Sequence, residues 1–306
     1  MDEFELIRRY FDRENRSPGV VLGIGDDGAV LAPNPGKQQI QVIDTLVEGV
    51  HFPPNTSPAD IAYRAVAVNL SDVAAMGASP RWMTLALTLS DASGPWVESF
   101  ATGLFEAADT CGVALVGGDT TSGPIVTVTV AITAELDEGT ALLRSGAKVG
   151  DSIFVTGTMG DAAAGLRSLQ RGEADAYLAH RFLRPTPRLA SGRALVGKAS
   201  AAIDISDGLV GDLNKLLVAS GVGGELDIDA LPLSDAIVEH FDLDERRNFA
   251  LTGGDDYELC FTANADDVAG IPGITQIGTV SPTPGLICRL HGDVVELDDS
   301  GYRHFQ

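Results

Sequence analysis

Apolar residues recur along the chain in two rhythms. Phe4, Ile7, Tyr10 and Phe11 share one helical face, which predicts a helix from Asp2 to about Asn15. Residues 39–47, QIQVIDTLV, read as a strand. From Pro58 to Met76, Ile61, Ala65, Val68 and Val73 suit a helix packed on a sheet, with Pro at its start and Gly77 at its end. A strand is expected at 82–90, a helix at 95–111, and two more strands at 113–117 and 125–135. The segment 136–150, LDEGTALLRSGAKVG, is polar and rich in turn formers, and it divides the chain into domains at 1–137 and 138–306. The second half restarts with a strand at 152–156 and helices near 160–171, 174–183 and 187–197. A buried strand at 201–205 and an amphipathic helix at Leu209–Ala219 follow. Residues 223–306 mix short strands and helices and end on an aromatic tail. The alternation gives an α/β class with α+β character, and two halves of similar size suggest a ligand site in a cleft between domains.

With 306 residues, 44% of them hydrophobic, the chain can bury a sizeable core. No apolar run approaches the roughly 18 residues of a membrane span. The acidic start, Met1-Asp2-Glu3-Phe4-Glu5, has no apolar signal core. Cys111, Cys260 and Cys288 lie far apart in apolar stretches and read as buried thiols of a reducing compartment. A cytoplasmic protein is expected.

Charge changes the picture most. The formal net charge is −22, from 43 acidic and 21 basic residues, and only Lys37, Lys148, Lys198 and Lys215 are lysines. Such a chain repels nucleic acid and anionic membranes, so neither is expected as a partner. Most of the carboxylates suit a solvated surface. Several do not, because they follow glycine at the ends of apolar runs.

Four segments share that grammar: Leu22-Gly23-Ile24-Gly25-Asp26-Asp27, Val116-Gly117-Gly118-Asp119-Thr120, Ile203-Asp204-Ile205-Ser206-Asp207-Gly208 and Leu251-Thr252-Gly253-Gly254-Asp255-Asp256. Asp44 sits in mid-strand, and Asp72 lies three residues after Asn69 on the Pro58–Met76 helix. Glycine beside a carboxylate lets backbone N–H groups approach a phosphate. Mg²⁺ takes hard oxygen ligands, commonly one or two carboxylates plus substrate phosphates. Any one such motif is explained by an Asx-turn or a helix cap, and Asp161 in Thr158-Met159-Gly160-Asp161 is expected to be a cap. Six acidic positions with four glycine-flanked turns favour a multi-metal phosphate site.

Competing motifs are absent. The chain has no G-x-x-x-x-G-K-[ST] loop, and Gly23-Ile24-Gly25 lacks the third glycine of a dinucleotide fingerprint. The run from Asp204 misses the calcium-loop spacing, and there is no G-x-S-x-G elbow. His51, His180, His240, His291 and His304 show no metal-type spacing.

GIGDDGAV (23–30), DTLVEGVHF (44–52), NLSDVAAMGA (69–78), GGDTTSGP (117–124), RSGAKVGD (144–151), FLRPTPR (182–188), AIDISDGL (202–209) and GGDDYELCF (253–261) together resemble the signature blocks of the thiamine-monophosphate kinase family. That family belongs with aminoimidazole ribonucleotide synthetase and selenophosphate synthetase. The blocks keep the family's order and span nearly the whole chain. The resemblance implies a two-domain aminoimidazole ribonucleotide synthetase-like fold whose N-terminal domains pair into a β-barrel in a homodimer. Residues 1–137 would bind ATP and Mg²⁺ and dimerise, and 138–306 would complete the active-site cleft. The implied reaction transfers the γ-phosphoryl group of ATP to thiamine monophosphate. By block-to-block matching, Asp27, Asp44, Asp72, Asp119, Asp204 and Asp207 would hold several Mg²⁺ ions, and Gly118, Asp119, Arg144 and Ser206 would contact ATP. His51, Asp255 and Tyr302 would face the thiamine phosphate, and Asp72, Asp119 and Arg144 would carry the catalysis.

Two departures stand out. The family often has small hydroxyl residues before the aspartate of the DTL block, and this chain has Val42 and Ile43, which offer no side-chain ligand. The usual glutamate of the GGEDYEL block is Asp255, one methylene shorter. The alternatives are a sibling ATP-dependent synthetase acting on a purine precursor or selenide, and a non-catalytic metal- or nucleotide-binding protein. The selenide reaction usually needs an N-terminal reactive Cys, and the first cysteine here is Cys111.

Overall fold

In the computed structural model, which describes residues 3–13, 17–90, 93–173 and 175–297, the chain forms two compact units. Unit 1 comprises Met1–Val73 and Ala78–Gly139, and unit 2 comprises Ala74–Gly77 and Thr140–Gln306.

Unit 1 runs α1 (Glu3–Tyr10), β1 (Val20–Leu22), β2 (Val30–Leu31), β3 (Lys37–Val47), α2 (Pro58–Ala75), β4 (Ser79–Leu89), α3 (Gly94–Cys111), β5 (Ala114–Ser122) and β6 (Thr127–Asp137), with the end of α2 passing into unit 2. Four strands form a sheet in the order β3-β6-β4-β5. β4 and β5 pair in parallel because α3 carries the chain back between them, and the other pairs are antiparallel. Alternation sorts the side chains. Leu46, Leu85, Leu87, Val128 and Val130 are at most 4% exposed on one face, whereas Gln41, Ile43 and Thr45 are exposed on the other. α2 is buried along most of its length. Gly103 of α3 sits so close to it that an added Cβ would lie 1.9 Å from the Ala59 carbonyl oxygen.

Unit 2 runs β7 (Ser152–Thr156), α4 (Asp161–Arg171), α5 (Ala176–Leu183), α6 (Leu189–Leu195), β8 (Ala199–Asp204), α7 (Leu209–Ser220), β9 (Gly223–Asp227), α8 (Asp235–His240), α9 (Leu243–Thr252), β10 (Leu259–Ala263), α10 (Ala265–Val268), β11 (Ile274–Ser281), β12 (Gly285–Leu290) and β13 (Asp293–Val295). Its sheet has the order β13-β12-β9-β11-β7-β10-β8, with only the β9–β12 pair parallel among the described strands. The core gathers Ile153, Val155, Ile203, Leu213, Leu217 and Cys260 between this sheet and α7. Among the described residues no helix is long and apolar enough to cross a membrane.

The strand expected at 113–117 continues to Ser122 because β5 keeps its parallel pairing with β4 as far as Leu89. Gly117-Gly118-Asp119 therefore belongs to an edge strand and not to a turn beyond it.

Candidate active site

In unit 1 a cavity of about 600 Å³ opens between α1, the Gly23–Ala29 loop and β5. Asp26, Asp27, Gly118 and Asp119 line it, with Phe4, Ile7 and Arg8 on the α1 side. The glycines explain how the chain makes this space. Gly118 has φ 154°, and an added Cβ would fall 1.9 Å from the Leu85 carbonyl oxygen, so β4 itself forbids a side chain there. Gly28 and Gly117 are different. Their φ values are ordinary and a Cβ on either would meet nothing within 4 Å. Neither backbone geometry nor protein packing requires glycine at these two positions. The room and the bare N–H groups they leave beside the cavity suit a phosphate ligand.

The carboxylates fit the same ligand. The Asp27 N–H donates to Asp26 Oδ1 at 2.8 Å, and neither the Asp27 nor the Asp119 side chain has a hydrogen bond or ion pair among the described residues. Among those residues no three Asp, Glu, His or Cys side chains lie close enough to hold a metal ion by themselves. Mg²⁺ commonly takes one or two carboxylates and completes its shell with phosphate oxygens and water.

The remaining acids of unit 1 lie apart from this loop. Register puts Asp44 in the row Asp44–Val130–Leu85–Gly118 and Asp119 in the next row, Thr45–Thr129–Ala86–Asp119. Neighbouring rows point to opposite faces, and β3 and β5 are the two edges of the sheet, about 14 Å apart at the usual strand spacing. Asp44 and Asp119 of one chain therefore do not share an ion. Asp72 is half-buried on α2, one turn beyond Asn69. The Asn69 Nδ2 donates to the Ala65 carbonyl at 2.9 Å, while its Oδ1 is buried without a hydrogen bond among the described residues. His51 closes the Gly49–Phe52 turn. Its Nδ1 accepts from the Val47 N–H at 3.0 Å, which leaves the proton of the neutral ring on Nε2.

Unit 2 joins two further blocks through their backbones. The Asp255 N–H donates to the Ser206 carbonyl at 2.8 Å, the Tyr257 N–H to Ile205 at 2.8 Å, and the Ile205 N–H to Glu258 at 2.8 Å. The Asp204–Asp207 turn and the Asp255–Glu258 turn are thus one hydrogen-bonded piece. Gly254 permits this, since a Cβ there would lie 2.5 Å from the Ser206 carbonyl oxygen. Asp212 Oδ2 accepts from both the Ser206 and the Asp207 N–H at 2.9 Å, and Lys215 bridges Asp212 and Asp207 at 2.8 and 2.6 Å. Burial pushes the Asp212 carboxyl above its usual range, with Lys215 opposing. Asp204 ends β8 almost buried, and Arg144 lies exposed in the loop before β7. Tyr302 lies outside the described residues.

Sequence reasoning missed the charged network beneath this piece. Glu258 is fully buried and accepts from Thr156 Oγ1 at 2.6 Å, Arg181 Nη2 at 2.9 Å, and Arg188 Nε and Nη2 at 2.6 and 2.5 Å. Asp161 corrects an expectation, because it does not cap α4. Its carboxylate accepts from Thr158, Tyr177 and Ser234, and Arg181 Nε stands 3.5 Å away. The cap comes instead from Asp256, whose carboxylate accepts the Gly160 and Ala162 N–H groups at 2.7 and 3.3 Å. Burial pushes the Asp256 carboxyl up to about 8 against the pull of those amides and of Arg181. A cluster of Arg, Asp and Glu within the FLRPTPR and GGDDYELCF blocks was the available signal.

Comparison with known proteins now bears on this geometry. The family described as AIR synthase related protein, N-terminal domain, matches residues 25–135, and its C-terminal domain matches 148–289. A protein of Salmonella typhimurium named thiamine-monophosphate kinase is 51% identical over 321 aligned residues, covering 99% of this chain and 98% of its own. The crystal structure of thiamine-monophosphate kinase from Stenotrophomonas maltophilia is 43% identical with a TM-score of 0.88, covering 96% of this chain and 98% of that one. A structure of AaThiL complexed with AMPPCP and TMP is 32% identical with a TM-score of 0.82, covering 99% and 96%.

Proposed function

The chain belongs to the AIR synthase related family and, within it, to the thiamine-monophosphate kinases, and from that premise we propose how its own residues serve ATP-dependent phosphorylation of thiamine monophosphate. The observation that carries the reading is the pair Gly28 and Gly117, which leave a space that none of the described residues fills beside Asp27 and Asp119. A solved relative complexed with AMPPCP and TMP supports the choice of ligands.

A phosphate monoester has its second pKa near 6, so the acceptor is largely a dianion at pH 7 and attacks without a strong general base. Its oxygen forms a bond to the γ-phosphorus as the bond to the β,γ-bridging oxygen breaks, giving thiamine diphosphate and ADP by direct in-line transfer. The obstacle is repulsion between two polyanions. Asp27, Asp44, Asp72, Asp119, Asp204 and Asp207 would hold several Mg²⁺ ions, whose charge would neutralise that repulsion. The backbone of Gly117 and Gly118 cradles phosphate oxygens, Ser206 contacts the nucleotide, and Arg144 adds fixed positive charge to the polyphosphate. The Nε2–H of His51 and the Asp255–Tyr257 turn, with Tyr302, orient the acceptor. Asp72 and Asp119 are the acids on which turnover depends most.

A homodimer accounts for two features. The open sheet face carries Ile43 at 66% exposure among Gln41, Thr45 and Ala86, a semi-apolar surface suited to a second copy. Asp44 and Asp119 lie on opposite edges of the sheet, so an edge of the second copy would bring such acids together. We place the protein in the cytoplasm, where ATP is available.

The test is product formation from Mg-ATP with thiamine monophosphate, thiamine and purine-pathway precursors in parallel, with an EDTA control. Thiamine diphosphate and ADP should appear in equal amounts, only from the monophosphate and only with metal, and Asp119→Asn should lose nearly all of it. ADP without thiamine diphosphate would move the chain to a sibling reaction, and a trapped phosphoaspartate would refute direct transfer.

A further inference from the structure

We propose that Arg181, Arg188, Glu258 and Asp256 are positioning residues, a buried clamp that holds the Asp255–Tyr257 turn in the geometry that presents Asp255 to the acceptor. The turn is strained. Asp255 and Tyr257 have φ of 72° and 51°, the left-handed region that a residue with a Cβ enters only at a cost, larger for tyrosine than for aspartate. The residues alternating with them are anchored. The Asp256 carboxyl group is tied to the start of α4 through the Gly160 and Ala162 N–H groups. Both Glu258 oxygens are occupied, one by Thr156 and Arg188 Nε, the other by Arg181 and Arg188 Nη2. Between these anchors the Tyr257 hydroxyl reaches back to Asp255 Oδ1 at 3.1 Å, and both amides bond the Ile205–Ser206 backbone.

Stability alone is a poor account of such a cluster. Burying carboxylates and guanidinium groups costs solvation, and apolar residues of similar volume commonly serve a core as well or better. What the charges add is direction. The two-bond fork of Arg188 and the single bond from Arg181 fix Glu258, and through it the turn, in a single orientation. The Ser206–Asp207 side has its own anchor in Asp212, so loosening the clamp disturbs the acceptor side more than the nucleotide side.

The identity of the acceptor rests on the function proposed above, and the experiment separates the two. Arg188 is the member to change, because its side chain is 30% exposed and Glu258 keeps Arg181 and Thr156 without it. In Arg188→Gln, KM for thiamine monophosphate should rise about tenfold while KM for ATP moves less than about twofold. Arg188→Lys should not restore it, since an ammonium cannot span both oxygens. Deuterium exchange at the Asp255 and Tyr257 amides should speed up about tenfold in the same variants. Asp256→Asn provides a second cut, through the α4 anchor. Unchanged exchange in folded variants, or KM values for both substrates rising together, would overturn the clamp. A wild-type chain that makes no thiamine diphosphate would refute the function, and the exchange data would still decide the clamp.

Discussion

At the scale of single residues, the glycines by the cavity divide into two kinds, and the division can be measured. Gly118 is held by its own sheet, because a side chain there would strike the Leu85 carbonyl oxygen. Gly118→Ala should cost about 1–3 kcal/mol of stability, as overpacking does. Gly117→Ala adds a methyl to empty space at an ordinary φ, and by restricting the unfolded chain it should leave stability level or raise it by up to about 1 kcal/mol. The same methyl would stand where phosphate oxygens must approach, so KM for ATP should rise about tenfold or more. Thermal melts and a nucleotide titration on the two variants check both halves, and wild-type ATP binding by Gly117→Ala would remove the cavity from the active site. These positions were legible in the sequence because Gly and Asp are chemically conspicuous side by side. Glu258 and Arg181 were not, for they are ordinary charged residues whose meaning lies in a contact across 77 positions of chain.

At the scale of elements, hydrophobic rhythm was a good guide wherever one face is buried. The strand read at 39–47 is β3 at Lys37–Val47, the helix read from Pro58 is α2, and the helix read at 95–111 is α3. The rhythm failed where pairing overrides composition. Gly117-Gly118 looks like the end of a strand, yet β4 carries β5 on to Ser122. The helix read near 160–171 is α4, but its cap was misread. Asp161 has the sequence position of a cap, but the cap is Asp256, and no local pattern marks a partner 96 residues away. That assignment has a consequence for pH. Asp256 feels Arg181 and Asp161, which in turn bond Glu258 and Tyr177, and burial lifts its carboxyl from 3.8 to about 8. In that window the folded chain keeps a proton that the unfolded chain has released, so this group makes stability fall as pH rises from 3.8 to about 8 and leaves the slope alone outside it. Asp256→Asn carries no such proton. Urea unfolding across the window should show the variant gaining on the wild type as pH rises, and a constant difference would mean that Asp256 is ionised throughout.

At the scale of the whole molecule, the net charge of −22 and the proposed metal sites make separable claims about salt. Self-repulsion of so many carboxylates destabilises the folded chain, and monovalent salt relieves it, the screening length being about 10 Å at 0.1 M. NaCl should therefore raise Tm smoothly, whatever the chain does in the cell. Site binding follows a different law. A cation that binds only the folded state adds RT ln(1 + [L]/Kd), about 2.7 kcal/mol at a hundredfold excess over Kd, and the gain keeps a logarithmic form. At matched ionic strength MgCl₂ should then stabilise beyond NaCl, more so with a non-hydrolysable ATP analogue whose phosphates supply the missing oxygens. The control is Asp27→Asn with Asp119→Asn. Removing two carboxylates barely changes the global field, so the NaCl curve should keep its shape, while the extra effect of MgCl₂ and its enhancement by nucleotide should shrink sharply. Coincident NaCl and MgCl₂ curves for the wild type, with and without nucleotide, would make the acidic surface a matter of general electrostatics and leave Asp27 and Asp119 without a metal.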